Sequence, residues 1–215
     1  MTPPLPVLVD PTHSLLSSRC RSMMSTAPMH PYLARELVAR AERADEHWTR
    51  LARMQPADQQ IGAARHIDHG NAAVLARAVA DYGWPGVPLV GEEGARAAWR
   101  LALRADTRAD VQQLASRLMY DAVDRGTASL RQWAHLYDRC LVNSSRPQLY
   151  GTQYRLGPGG PQRQAVSEPA GDLDARRAAV GLPPAGLALR RLRDRLTADP
   201  CFDDAAAPTV LRGAA

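Results

Sequence analysis

GWPGVPLVGEEGARAAWRLALRAD, residues 83–106, is the stretch around which the rest of the chain must pack. From Gly94 onward, Ala95, Ala97, Ala98, Trp99, Leu101, Ala102, Leu103 and Ala105 leave only a thin stripe of Arg96, Arg100 and Arg104 at i, i+4 spacing. A helix that is apolar around most of its circumference is a buried one. Its alanines let neighbouring helices approach closely, and Trp99 supplies one large anchor. The pattern predicts a buried central helix over about 91–105. Gly83, Pro85, Gly86, Pro88 and Gly91 predict a shaped turn in front of it.

Working outward to the N-terminal side, a helix opens at Pro31 with Leu33, Leu37, Ala41, Ala44, Trp48 and Leu51 on one face, and Pro56 ends it. A second helical piece carrying Gln59, Gln60 and Ile61 starts near Asp58, which is placed to cap it. After Gly70, Asn71 opens a further segment with Val74, Leu75, Ala78 and Val79 that stops at Gly83.

On the other side, TRAD at 107–110 has the form of a capping box before Val111, Leu114, Ala115, Leu118, Ala122 and Val123. Leu130, Trp133, Ala134, Tyr137, Cys140 and Leu141 mark the next helix and set Asp138 and Arg139 beside its buried face. The period changes at Leu149, Tyr150, Thr152, Tyr154 and Leu156, so one small β-hairpin is expected over about 149–166. A short helix over Asp172–Val180 ends at Gly181, and a last one begins at Pro184. The expected fold class is all-α: a compact helical bundle around the central helix with that one hairpin. A single helical domain over 30–199 would lie between a disordered or loosely docked segment, 1–29, and a disordered tail, 200–215.

The formal net charge of the 215-residue chain is +5, and all 27 of its basic residues are arginine. That bias, with abundant alanine, points to a GC-rich, actinobacterial type of composition. Arginines interleaved with 22 acids make solvated helix faces, whereas a nucleic-acid site gathers basic charge on one surface, so a nucleic-acid partner is disfavoured. Cys20, Cys140 and Cys201 are odd in number and widely spaced, which gives neither a disulfide framework nor a metal pattern and fits a reducing cytoplasm. No apolar run reaches the length of a membrane span, so no membrane partner is expected.

His66-Ile67-Asp68-His69 places two imidazoles three residues apart, a spacing compatible with a metal, but no third ligand is evident and the reading is of surface histidines with no metal. There is no Gly-x-Ser-x-Gly elbow and no phosphate-binding glycine loop. PQLYGTQ at 147–153 stands out: Gln148, Tyr150, Thr152 and Gln153 need partners if buried, and they either brace a turn or line a pocket. Asp138-Arg139 is likewise either a buried ion pair or half of a site.

A longer succession is Asp58-Gln59, Asp68 with Asn71, GWPG at 83–86, VGEEG at 90–94, AAW at 97–99, Ala105-Asp106, Gln112, Asp138-Arg139, PQLYGTQ, and Asp174-Ala175-Arg176-Arg177 with Val180-Gly181-Leu182. It resembles a family of bacterial domains of unknown function over roughly residues 45–190, with GWP and PQxYGTQ the most specific pieces. Members of that family carry Gln-His where this chain has Leu103-Arg104, and tyrosine where it has His135. If the family uses that histidine as acid or base, this chain has lost it, uses Arg104 as a fixed cation, or has moved the role to His135. The resemblance implies a shared fold and a shared polar site, with no established activity.

Two function classes follow. In the first, the protein is a small metal-free acid/base enzyme, without cofactor, for hydrolysis, elimination or cyclisation of a small polar, anionic molecule, as in a tailoring step of specialised metabolism. The expected catalytic residues are Asp106, Asp138, Tyr150 and His135, and the expected substrate-binding residues are Arg104, Arg139, Gln148, Gln153, Gln112 and Trp84. A homodimer is compatible with this reading. In the second, the same residues are a buried network in a binding or scaffolding protein.

Overall fold

Leu37, Ala41, Ala44 and Trp48, at spacings of three and four, form the buried face of the first helix, α1 (Pro31–Ala52). The computed structural model describes residues 27–52, 57–157, 160–167 and 172–198. The expectations for 1–26, for the break at Pro56 and for the tail at 200–215 lie outside them. Of the segment expected to be loosely docked, Met29 is tied down, its backbone N–H donating to the Pro88 carbonyl at 3.2 Å.

The two helical pieces expected between Asp58 and Gly83 are one helix, α2 (Asp58–Tyr82). Gly70 does not break it. One glycine in a helix interior costs about 1 kcal/mol, less than the burial of the face that runs Ala64, Asp68, Asn71, Ala72, Leu75, Ala78 and Val79. Asp58 is not the cap; Ala57 is, with its N–H donating to Oε1 of Gln60 at 2.9 Å.

The central helix, α3 (Val87–Leu103), begins before the expected start with one helical turn, then kinks at Gly91, whose φ of 73° only glycine adopts readily. The regular part beyond the kink is the alanine-rich stretch read from the sequence, and it buries Ala97, Ala98, Leu101 and Ala102. These pack with Leu37, Leu75, Met119 and Leu136 in the main core. Trp99 is only partly buried: it packs against that core while its indole N–H donates to the Gln132 carbonyl at 2.8 Å.

At Gly94 an added Cβ would lie 2.7 Å from Cβ of Val90, on the turn before the kink, and 3.3 Å from Cα of Ala34 on α1, whose backbone packs closely there. Gly94→Ala is therefore expected to destabilise by about 1–2 kcal/mol, overpacking outweighing the gain in helix propensity. A urea titration measures this, and a more stable variant would contradict the close α1–α3 approach.

Helix α4 (Ala109–Asp124) lacks the expected capping box. Its N-cap is Arg108, without a side-chain cap, and Asp110 is bound instead by the Arg108 guanidinium at 3.0 and 2.8 Å. Helix α5 (Leu130–Asn143) is capped by Ser129, which accepts the Gln132 N–H. The hairpin is shorter than expected, with β1 (Tyr154–Gly157) antiparallel to β2 (Gly160–Arg163) and Tyr154 opposite Arg163. Residues 149–153 form a loop, and Gln148 makes an isolated parallel bridge to Val166. Helices α6 (Leu173–Ala179) and α7 (Ala185–Ala198) follow, joined by Asp174, whose carboxylate accepts the Ala185 N–H at 2.7 Å. Among the described residues no helix is long and apolar enough to cross a membrane.

Candidate functional site

PQLYGTQ is held by side chains from three directions. Asp138, on α5 and fully buried, accepts the backbone N–H groups of Leu149 at 2.8 Å and Tyr150 at 3.0 Å on one oxygen. Its other oxygen accepts the N–H and the hydroxyl of Thr152, both at 2.9 Å. Gln148 behaves like a strand turned sideways: its amide donates to the carbonyls of Gln153 and Gln164, and its Oε1 accepts the Gln153 N–H. From α6, Arg177 donates to the Tyr150 carbonyl at 2.6 Å and to that of Pro183 at 2.7 Å, and Arg176 donates to the Leu149 carbonyl. Burial pushes the Asp138 carboxyl above the ordinary aspartate value, and these loop donors offset that only in part. Every group around it is a donor, so the ionised form is the one that fits. Asp138 and Arg139 are neighbours in sequence with separate partners.

Arg139 turns to the C-terminal end of α3, where its Nε donates to Oδ1 of Asp106 at 2.9 Å and its Nη2 donates to Oδ2. Asn143 adds a donor to Asp106 at 2.8 Å. Gln112 joins the network, donating to the Ala102 carbonyl at the C-terminal end of α3 and accepting from Asn143. Burial pushes the Asp106 carboxyl up, but the Arg139 bonds and charge, with Asn143 and Gln112, more than offset it and hold it below the ordinary aspartate range. A depressed value contributes stability above about pH 4, lost as the pH falls toward the folded-state value. Gln153 links the two networks, accepting weakly from Arg139 at 3.5 Å and donating to the His135 carbonyl at 3.2 Å.

A third cluster lies where α1, α2 and α3 meet, and it is not satisfied. Among the described residues, Nε2 of His47, Oδ1 of Asp68, Nδ2 of Asn71, Nε of Arg100 and Nη1 of Arg104 are buried and have no hydrogen-bond partner. An unpaired buried polar group costs about 1–3 kcal/mol, so five together on three helices are not incidental. Other atoms of four of these residues have partners, Asn71 accepting from Arg40 at 3.4 Å. Trp48 Nε1 donates to Oδ2 of Asp68 at 2.8 Å, and Asp45 bridges the two arginines, with one oxygen 2.6 Å from Arg100 and the other 2.6 Å from Arg104. Burial raises the Asp68 carboxyl above its ordinary value; the Trp48 bond and the Arg104 and His47 charges lower it, and nearby Asp106 raises it, so this cluster borders the Asp106 network. Asp45 and Arg100 form its solvent-facing rim, each about a third exposed at 33%.

The residues singled out in the sequence are thus divided. Asp106, Arg139, Gln112 and Gln153 come together; Asp138 and Gln148 bind the loop beside them; Arg104 belongs to the unsatisfied cluster. Tyr150 packs edge-on against Trp133, and burial pushes its phenol up to about 12. His135 lies edge-on to Trp99; burial, then Arg131 and Arg177, lower it to about 4, so its ring is neutral at pH 7. Trp84 is in the main core. His66 is exposed, and His69 lies 3.4 Å from the Thr107 hydroxyl. Among the described residues no group of three or more His, Cys, Asp or Glu side chains is placed to hold a metal ion. Asp45, His47, Trp48, Asp68, Asn71 and Arg100 were not among the candidates. The signal for two of them was present: Asp68 and Asn71 are polar positions on an otherwise apolar helix face.

A family model described as a family of unknown function (DUF6624) matches residues 31–198, from the start of α1 to the end of α7. The chain belongs to this family. The match starts earlier than the resemblance did, at residue 31, and takes in all of α1. No curated protein and no solved structure matches the chain.

Proposed function

We propose that this member of the family is a small acid/base enzyme acting on a small polar, anionic molecule, and that its reacting carboxylate is Asp68. The observation that carries the reading is Asp68 itself: one oxygen fixed by Trp48, the other buried without a partner, and its proton affinity raised by burial beside Arg104. A buried carboxylate poised in this way is the environment that acid/base catalysts use.

Asp106 and Asp138 are less suited to the role. The Asp106 oxygens are taken by Arg139, Asn143 and Gln112, and those of Asp138 by the loop. In the proposed division of labour, Asp68 Oδ1 takes or returns a substrate proton while Trp48 fixes its orientation. Arg104 and Arg100 hold an anionic group of the substrate, and the Asp106–Arg139 pair fixes the end of α3 that carries Arg104. Hydrolysis, elimination and cyclisation are all within reach of one such carboxylate and two fixed cations. The alternative reading, a purely structural network, has specific observations in its favour at the 149–153 loop and at the end of α3, where the oxygens of Asp138 and of Asp106 are satisfied.

The test uses metabolite extracts, incubated with the parent and with Asp68→Asn and compared by mass spectrometry. Compounds consumed by the parent and left by Asp68→Asn support the proposal. Equal consumption by both would remove Asp68 from the chemistry.

A further inference from the structure

The five unpartnered atoms have a chemistry of their own. Arg100 Nε, Arg104 Nη1 and Asn71 Nδ2 can only donate, Asp68 Oδ1 in its ionised form can only accept, and His47 Nε2 can do either. A molecule that satisfies this set offers several acceptor atoms toward the two arginines and one donor toward Asp68. Asp45 shows what fits the arginines, because a planar carboxylate spans both guanidinium groups, one oxygen to Nη1 of Arg100 and the other to Nη2 of Arg104, each at 2.6 Å, and leaves Arg100 Nε and Arg104 Nη1 for further acceptor atoms of a ligand. Asp45 is also the rim residue that can swing into solvent. With it gone, two guanidinium charges face one Asp68 carboxylate, leaving one positive charge for a monoanion to match.

We infer that Asp45 occupies the seat of the ligand's carboxylate, and that the ligand is a small hydroxycarboxylate. Its carboxylate displaces Asp45 from Arg100 and Arg104, and its neighbouring hydroxyl donates to Oδ1 of Asp68. This rests on the acid/base reading of the same cluster, which it deepens by naming the substrate class. It also accounts for access to buried donors: opening the Asp45 bridge uncovers both arginines at once. Asp45 is then a built-in competitor, which sets the affinity low until a ligand with both groups arrives.

The full-length protein is titrated by calorimetry with glycolate, acetate, the neutral glycolamide and inorganic phosphate. Glycolate is expected to bind, acetate several-fold more weakly for lack of the hydroxyl, and glycolamide not at all. Asp45→Asn, which removes the competing charge, is expected to bind glycolate about tenfold more tightly, and Arg104→Gln at least about tenfold more weakly, the worth of one charged hydrogen bond. If Asp45→Asn melts too early to titrate, the Nε–Hε resonance of Arg100 in the parent must shift on adding glycolate. Weaker or unchanged binding by Asp45→Asn, an unmoved Arg100 resonance, glycolamide binding as well as glycolate, or no binding by any probe overturns the inference. A preference for phosphate overturns the carboxylate assignment. None of these readouts needs turnover, so the ligand class can fail while the Asp68 reading stands, and the reverse.

Discussion

Asp138→Asn is expected to melt roughly 10 °C below the parent. The substitution keeps the shape of the side chain and leaves one oxygen for the N–H groups of Leu149 and Tyr150. It turns the other oxygen into an NH2 group that faces the N–H of Thr152, and two charge-assisted hydrogen bonds are lost in a fully buried place. Hydrogen bonds to a charged group are worth about 1.5–3 kcal/mol each, so the loss of two is about 3–6 kcal/mol, and each kcal/mol moves the midpoint of a domain this size by about 2–4 °C. Differential scanning calorimetry at pH 7 reads it. A midpoint within a few degrees of the parent would mean that the loop is held by Gln148, Arg176 and Arg177 without Asp138.

The second large effect is on chemistry. Once a consumed compound is identified, Asp68→Asn is expected to turn it over about 10²–10⁴-fold more slowly, the usual contribution of a positioned acid or base. The amide keeps an oxygen for the Trp48 N–H, so the side chain stays in place while the proton acceptor is gone. The pH profile follows from the sign of the shift. Asp68 titrates above the ordinary aspartate value, so a step that needs its ionised form slows as the pH falls through that raised value. The limb should vanish in Asp68→Asn. A normal rate in the variant, or a profile indifferent to the substitution, would assign the chemistry elsewhere.

How much of this could be read from the chain depends on whether a residue announces itself locally. The central helix did, because a run of alanines broken by a single tryptophan has few other uses, and the hairpin did, through its change of period. PQLYGTQ signalled that its polar groups needed partners, but the partners were out of view: Asp138 and Arg177 reach it from different helices, and a helix pattern does not reveal where a side chain lands across space. Asp138-Arg139 reads as either an ion pair or half of a site, but adjacent helix residues point in different directions, and the partner of Arg139, Asp106, lies across the fold. Asp68 was hidden by Gly70. With α2 read as ending there, HIDHG looked like a junction; as one continuous helix, Asp68 and Asn71 fall on the buried face with Ala64 and Leu75. Arg100 looked like part of a thin polar stripe and Arg104 like a cation for substrate, and only the approach of α1 brings Asp45 to both.

The account's central claim is that two buried aspartates have opposite duties, Asp138 holding the structure and Asp68 held in reserve for chemistry. The most direct measurement is a pair of melts, Asp138→Asn and Asp68→Asn beside the parent at pH 7. Asp138→Asn should fall by roughly 10 °C as argued above. Asp68→Asn should melt at or above the parent. Burial raises the folded-state value of both carboxyls, a cost in stability that builds as the pH rises through that value; a neutral amide removes the cost at either site, but at Asp68, unlike Asp138, it breaks no hydrogen bond. If instead Asp68→Asn collapses as far as Asp138→Asn, or the order is reversed, the unsatisfied cluster is part of the frame and the claim is wrong.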